Sequence, residues 1–239
     1  NNDPAGSFSY QWTPANGGHI AAGETSLQPE ITAPGTYTLL ATNTANGCTA
    51  VAETFVTQDI AAPDIALAPA QPLTCNLTAQ TLQGQNNDPA GSFSYQWTPA
   101  NGGQINAGET TLQPEIAAPG TYILLATNTE NGCTTLVETT VAQDIAAPDL
   151  TITPAQPLTC QLTHQILQGQ NNNPSGSFSY QWTTADGGHL VVGETSLQPK
   201  VDAPGTYTLL ATNTENGCTA TAEITVILNS DISLALTNQ

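Results

Sequence analysis

Short stretches in which apolar and polar side chains alternate recur along the chain, and turn-forming residues separate them. In residues 7–13, Phe8, Tyr10 and Trp12 fall on one face and the polar side chains between them on the other. Residues 36–43 alternate in the same way. Alternation of period two predicts strands with one buried face, and no stretch has a sustained helical period.

The same pattern returns at a fixed interval. The three tryptophans are separated by 97 − 12 = 85 and 182 − 97 = 85 residues, and each lies in the string Ser-Phe-Ser-Tyr-Gln-Trp-Thr. Such a period is typical of tandem domains. The chain begins inside a repeat and contains no Met, which indicates a segment of a longer protein. We predict a partial repeat at 1–58, complete repeats at 64–143 and 149–228, and the first strand of a further repeat at 231–239.

Turn signals divide each repeat into many short strands. Asn16-Gly17-Gly18 and Pro34-Gly35 mark turns, and Asn46-Gly47 is predicted to supply the positive-φ pair of a tight hairpin. Roughly seven strands in about 80 residues, with a Trp on a central strand, predict an all-β fold of tandem immunoglobulin-like β-sandwich domains in a linear array, with a closed barrel as the alternative. The predicted core aromatic residues are Phe8, Tyr10, Trp12, Tyr37, Phe93, Tyr95, Trp97, Tyr122, Phe178, Tyr180, Trp182 and Tyr207.

The cysteines follow the period as well, since 133 − 75 = 58 and 218 − 160 = 58. We predict a disulfide within each repeat, Cys75 with Cys133 and Cys160 with Cys218, and a partner for Cys48 outside this sequence. Such a bridge would stabilise a repeat by about 4 kcal/mol and implies an oxidising, extracellular compartment. A bridge between neighbouring repeats or chains is the alternative, because strand order decides whether the two cysteines of one repeat can meet.

Charge narrows the choice of partners. Only 8% of the residues are charged, Lys200 is the one cation, and 19 carboxylates give a formal net charge of −18. Binding to nucleic acid needs clustered Lys or Arg, so it is excluded, and attraction to anionic membrane surfaces is excluded for the same reason. No stretch is long and apolar enough to insert into a membrane.

Candidate chemistry is sparse. No nucleophile–base set, metalloprotease motif or phosphate loop occurs, so we predict no catalytic residues, no cofactor and no enzyme activity. The linkers hold the strongest metal candidates, and a calcium site there would need six or more oxygens. The alternative is a plain connector stiffened by proline. The calcium candidates are Asp59, Asp64, Asp144 and Asp149.

Four strings, all present in the third repeat and mostly repeated in the others, resemble a known family. Leu-Thr-Cys, Tyr-Gln-Trp, Pro-Gly-Thr-Tyr-Thr-Leu and Asn-Gly-Cys-Thr-Ala resemble the immunoglobulin-like or PKD-like repeats of giant surface proteins of Bacteroidota, of the gliding-adhesin type. This resemblance implies an extracellular protein of a bacterial cell surface, exported by type IX secretion, with the repeats as its stalk. Near-identical repeats would offer the same lateral patch in register, which favours assembly with identical copies.

The expected function is therefore a structural repeat segment of a secreted cell-surface adhesin, stalk or filamentous appendage such as a fibre, hook or tether. The alternative is a module that binds polysaccharide or cell-surface glycans directly through repeated sites and gains avidity from repetition.

Overall fold

The computed structural model describes residues 7–88, 90–173 and 175–230. Within these ranges the regular elements are all strands, and no helix is long and apolar enough to cross a membrane. The strand predicted at 231–239 lies outside the described residues. The chain divides into two compact units, Asn1–Ala62 with Glu130–Cys133, and Pro63–Thr129 with Thr134–Gln239.

The second repeat is built from ten strands, more than the roughly seven predicted. Several have two or three residues, because Pro, Gly and Asn interrupt each run before it can lengthen. Its strands are β6 (Ile65–Leu67), β7 (Leu73–Thr74), β8 (Gln80–Thr81), β9 (Gly84–Asn86), β10 (Phe93–Ala100), β11 (Ile105–Ala107), β12 (Glu115–Ile116), β13 (Gly120–Asn128), β14 (Thr134–Val141) and β15 (Gln143–Asp144).

The third repeat follows the same plan with eight strands. An isolated parallel bridge between Leu158 and Leu228 stands where the second repeat has the pair β7 and β15. Its strands are β16 (Leu150–Ile152), β17 (Gln165–Ile166), β18 (Gly169–Asn171), β19 (Phe178–Ala185), β20 (Leu190–Val192), β21 (Lys200–Val201), β22 (Gly205–Asn213) and β23 (Thr219–Val226).

Strand order gives both complete repeats an immunoglobulin-like topology. The long strands form an antiparallel sheet in the order β10-β13-β14 in the second repeat and β19-β22-β23 in the third. Short strands make the facing layer, β8-β12-β11 with β6-β9, and β17-β21-β20 with β16-β18. In the second repeat β7 runs parallel to β15 at the sheet's end. Non-consecutive neighbours of this kind are typical of a Greek-key sandwich, which confirms the predicted all-β class of tandem immunoglobulin-like domains.

The first unit holds the long sheet of the first repeat. Its described residues include no counterpart of β6–β9, and Trp12 is half-buried where its counterparts are buried. The long strands again pair in the order β1-β4-β5, and β2 pairs with β3. The strands are β1 (Phe8–Ala15), β2 (His19–Ala22), β3 (Glu30–Ala33), β4 (Gly35–Asn43) and β5 (Thr49–Val56).

Each complete repeat has its own core around one tryptophan. Trp97 and Trp182 are buried, and each indole Nε1 donates a hydrogen bond of 2.8 Å to a backbone carbonyl, that of Thr111 or Ser196. The ring therefore fills the sandwich while its polar atom stays bonded. Of the other aromatic residues predicted for the core, Phe8, Tyr10, Phe93, Tyr95, Phe178 and Tyr180 are half-buried.

A buried tyrosine fixes the start of the last-but-one strand in every repeat. Tyr122 and Tyr207 donate to the carbonyl four residues upstream, at 2.5 Å to Ala118 and 2.6 Å to Ala203, and Tyr37 makes the equivalent bond to Ala33. This contact is the tyrosine corner of immunoglobulin-like sandwiches, and it holds the connection between the two sheets in place.

One hairpin turn lies at its predicted position but has a different form. The pair of positive φ angles predicted at Asn46-Gly47 occurs at Asn16 (φ 51°) and Gly17 (φ 91°). At the predicted position Gly47 has φ 77° and Asn46 is not among the residues with positive φ. The Asn46 side chain instead accepts a hydrogen bond from the Cys48 amide, and the Asn43 amide donates to the Cys48 carbonyl, which closes a loop longer than a two-residue turn.

Candidate functional site: the junction between the second and third repeats

A hairpin of the third repeat, Asn213–Cys218, meets the end of the second repeat. We name these six residues the bridging hairpin. They connect β22 to β23, and the Asn213 amide donates 2.8 Å to the Cys218 carbonyl, which closes the loop. Asn216 is only 1% exposed and Cys218 only 2%, although a loop of this composition is ordinarily solvated. A neighbouring surface must therefore cover them.

That surface is the receiving loop, Leu73–Leu77, of the second repeat. The Thr74 amide donates 2.9 Å to the Leu77 carbonyl, so the loop is tightly turned. The Asn76 amide donates 3.3 Å to the Asn216 carbonyl, across the junction. Cys75 and Cys218 form a disulfide there, with their Cα atoms 5.1 Å apart. Two consecutive domains are thus covalently joined by this bond in addition to the linker that connects them.

This bond corrects the predicted pairing of Cys75 with Cys133 and of Cys160 with Cys218. The receiving loop lies where β14 ends, because the Leu73 amide donates to the Ala142 carbonyl. Cys133 precedes the first residue of β14. Eight residues of strand rise separate the two ends by about 25 Å, so the cysteines of one repeat lie at opposite poles and cannot bond. The alternative left open by the sequence, a bridge between neighbouring repeats, is what the structure contains.

The linker between the two repeats takes part in the junction through one asparagine. The Asn216 Nδ2 donates 2.9 Å to Asp144 Oδ1 and 3.0 Å to the Ala146 carbonyl, and its Oδ1 accepts from the Cys218 amide. All the polar atoms of this buried side chain are therefore bonded, as burial requires. Sequence reasoning did not single out Asn216, although the recurring Asn-Gly-Cys string was its signal.

The four aspartates predicted as calcium candidates are not gathered into a metal-ligating cluster in the described residues. Across residues 7–88, 90–173 and 175–230 no three His, Cys, Asp or Glu side chains gather to hold an ion. The carboxylates of Asp59 and Asp144 each accept a hydrogen bond from the backbone amide two residues ahead. The Asp64 backbone amide donates to the Asp88 carboxylate. The Asp149 carboxylate accepts from the Asn172 side-chain amide at 3.4 Å. Their visible role is to shape the linkers, and calcium binding stays a prediction.

Three cysteines of the described chain are free thiols. Cys160 and Cys48 are exposed and Cys133 is half-buried. Cys133 lies in the counterpart of the bridging hairpin in the second repeat, where Asn131 Nδ2 donates 3.0 Å to the Ala61 carbonyl of the preceding linker. Since 216 − 131 = 85 and 146 − 61 = 85, the contact between hairpin and linker repeats with the period.

A shallow groove recurs in both complete repeats. Seven counterpart positions line it, and the aromatic and apolar members in the second repeat are Phe93, Tyr95 and Leu125. The remaining lining residues are Ser, Gln and Thr. Aromatic faces beside hydroxyl and amide groups are a surface to which a sugar ring can bind.

Comparison with known proteins finds similarity to solved structures of several consecutive domains. No family model matches the chain, and no curated protein matches it. Extracellular domains 3–5 of Drosophila OTK align over 94% of this chain and 86% of that one, with 10% identity and a TM-score of 0.34. Three N-terminal domains of the bacteriophage RB49 outer capsid protein Hoc align over 96% and 91%, with 10% identity and a TM-score of 0.40. The titin fragment I67–I69 aligns over 95% and 89%, with 14% identity and a TM-score of 0.39.

Proposed function

We propose that this chain is a structural repeat segment of a secreted cell-surface stalk, adhesin or filamentous appendage. The observation that carries the proposal is the disulfide from Cys75 to Cys218, which joins consecutive domains. A bond of this kind limits rotation at the junction and takes up load in parallel with the linker. It also needs an oxidising compartment, which supports an extracellular location.

The surface composition supports the same function. A formal charge of −18 spread over 239 residues opposes collapse of an extended chain on itself. The resemblance of four strings to the surface repeats of Bacteroidota is in keeping with a bacterial stalk exported by type IX secretion.

Single-molecule force spectroscopy tests the load-bearing role. Pulling the chain from its two ends should leave the 143 residues between the bridged cysteines unextended while the disulfide is intact. Reduction should release about 50 nm of additional contour length at about 3.5 Å per residue. Cys218→Ser should show the reduced length under oxidising conditions, whereas the matched variant Cys133→Ser should keep the short one. Equal contour lengths for the oxidised and reduced chain would remove the basis of the proposal.

A second candidate is direct binding of polysaccharide, and the recurring groove favours it. Two equivalent sites in one chain would gain avidity from their linkage. If the groove binds glycans, replacement of both Tyr95 and Tyr180 by Ala should abolish retention of the chain on an insoluble polysaccharide, and either single change should weaken it. No retention of the unaltered chain on a panel of bacterial and algal polysaccharides would dismiss this candidate and leave the structural role standing.

A further inference from the structure

The outer face of the short sheet differs between the third repeat and the second. In the third repeat, Ile166, Lys200 and Val192 lie directly opposite one another across β17, β21 and β20. We name these three residues the cationic row. Ile166 is 54% exposed and Val192 62%, whereas the residues next to the row in the chain, Leu167 and Val201, are buried. The cationic row therefore lies on the solvent side of the sheet.

The same positions of the second repeat form a row of opposite charge. Thr81, Glu115 and Ala107 lie opposite one another across β8, β12 and β11, and all three are exposed. We name these three residues the acidic row. They precede the cationic row by one period, since 166 − 81 = 85, 200 − 115 = 85 and 192 − 107 = 85. The central residue thus changes from a carboxylate to an ammonium group, and the flanking side chains change from small to large and apolar.

The ammonium group of the cationic row has no ion pair of its own. Lys200 is the one Lys or Arg in a chain with 19 carboxylates. In the part of the chain that the structure describes, no carboxylate forms an ion pair with it. Asp202, two residues ahead, is bonded instead to His189, with 2.6 Å between Oδ1 and Nδ1. A partner that brings a carboxylate to this face would therefore meet an ammonium group without a competing ion pair.

The two rows complement each other in charge and in size. Contact between them would place Glu115 against Lys200. The small side chains that flank Glu115 leave room for Ile166 and Val192, whose exposed apolar surface would then leave water. Two rows of the same kind would instead bring like charges together, which opposes association. Each copy of the chain carries both rows, so a second copy has the charge and the shape that the cationic row requires.

We propose that the cationic row of one copy docks on the acidic row of a second copy, so that copies associate side by side. This inference deepens the structural role proposed above and rests on it. The contact is heterologous, because the two rows are different surfaces. A docked copy therefore keeps one row free, and that row can bind a further copy.

Charge-reversal variants separate this contact from the general repulsion between acidic chains. Lys200→Glu changes the formal charge to −18 − 2 = −20, and Glu115→Lys changes it to −18 + 2 = −16. Each change opposes like charges at the contact and should weaken self-association by about tenfold. General repulsion alone predicts stronger association for Glu115→Lys, whose net charge is lower. The double variant keeps the charge at −18 and restores an opposed pair, so it should associate as the unaltered chain does.

Sedimentation velocity of the 239-residue chain over a concentration series measures this association. Iodoacetamide first blocks the free thiols, so that disulfide exchange cannot join copies. An ionic strength of about 0.15 M screens distant charges more than contact pairs. Glu138→Lys is the matched control, because Glu138 is exposed on β14, in the other sheet of the second repeat. It makes the same change in net charge as Glu115→Lys and should not weaken association.

Carbodiimide crosslinking identifies the carboxylate that meets Lys200. The reagent joins an amine to a carboxylate as an amide and takes up the water that is lost, and Lys200 carries the one side-chain amine of the chain. A mixture of unlabelled and heavy-isotope copies separates bonds between copies from bonds within one. We expect a peptide pair that joins Lys200 of one copy to Glu115 of another.

Several results would overturn the inference. They are a chain that stays monomeric at every concentration, stronger association of Glu115→Lys, no recovery in the double variant, and crosslinks between copies that never include Glu115. Retention of a monomeric chain on an acidic polysaccharide, lost in Lys200→Glu, would assign the cationic row to a glycan instead. If digestion of the same sample without reduction still yields the Cys75–Cys218 bond, only the docking of copies fails. If that bond is missing as well, the structural role proposed above fails with it.

Discussion

The first and third repeats carry the same hairpin in different surroundings. Both contain Asn-Gly-Cys in loops with matching backbone hydrogen bonds. In the third repeat Asn216 and Cys218 are buried, whereas Asn46 and Cys48 are exposed. Since the local sequence and conformation are shared, the burial comes from the receiving loop of the neighbouring repeat. The hairpin is therefore shaped by its own sequence and becomes a joint only where another repeat presents its end.

The largest expected effect comes from removing the bond in the buried hairpin. Cys218→Ser opens a closed segment of 143 residues, and the chain-entropy model assigns such a crosslink about 5 kcal/mol. We expect the free energy of unfolding of the second and third repeats to fall by an amount of this order. Urea unfolding followed by tryptophan fluorescence measures it, and its midpoint should shift to a lower urea concentration. Cys48→Ser, the same change in the exposed hairpin, should leave the unfolding curve unchanged, and an equal shift in both variants would contradict a stabilising role of the Cys75–Cys218 bond.

The tryptophans extend the comparison from the hairpins to the cores. Trp182 is buried, whereas Trp12 is half-buried. Replacement of a buried Trp by Ala costs about 3–5 kcal/mol, so Trp182→Ala should lower the free energy of local opening in β19 and β22 by that amount. Trp12→Ala should cost at most about 2 kcal/mol in β1 and β4. Hydrogen exchange measured by mass spectrometry resolves the two regions, and equal losses would show that the first repeat is packed as well as the third.

The junction asparagine should have an intermediate effect. Asn216→Ala removes the hydrogen bonds to Asp144 and Ala146 and should weaken the junction by about 1–3 kcal/mol. This loss can be measured as a change in the equilibrium constant for thiol–disulfide exchange between the Cys75–Cys218 disulfide and glutathione. About 1.4 kcal/mol corresponds to a tenfold change in that constant. Asn46→Ala should not alter that equilibrium. An unchanged constant in Asn216→Ala would mean that the amide contributes nothing to holding the linker.

The smallest expected effect is at the hairpin glycine. A Cβ atom on Gly217 would lie 2.0 Å from Asn76 Cγ, whereas one on Gly47 or Gly132 meets nothing within 4 Å. All three have φ near 75°, so the conformational strain of an Ala is common to them. Gly217→Ala should lower the equilibrium constant for forming the Cys75–Cys218 disulfide from oxidised glutathione by about fivefold, or about 1 kcal/mol, because the Asn76 side chain must move. Gly132→Ala should leave it unaltered, and matching losses would point to strain alone.

Much of each domain is predictable because its signals are local. The alternation of Phe93, Tyr95 and Trp97 predicts the strand and its inward face, and the structure places β10 there with Trp97 buried. Gly at the turns likewise specifies backbone conformations that other residues disfavour. The short strands β7, β8 and β12 escaped prediction, since two residues carry no periodicity.

The junction was not predictable from spacing, because a periodic sequence makes two pairings equivalent. Cys75 is offset by 58 residues from Cys133 and by one further period, 58 + 85 = 143, from Cys218. The choice depends on which pole of the sandwich each cysteine occupies, and that follows from the pairing of β7 with β15 across 70 residues of chain. Such a long-range pairing of two-residue strands leaves no local pattern in the sequence.

Disulfide mapping shows which cysteines are bonded. The oxidised chain is alkylated, digested without reduction by a glutamate-specific protease, and its linked peptides are sequenced by mass spectrometry. We expect a peptide pair that joins Cys75 to Cys218. Pairs that join Cys75 to Cys133 and Cys160 to Cys218 would contradict it, and each repeat would then be closed on itself with no covalent joint to the next.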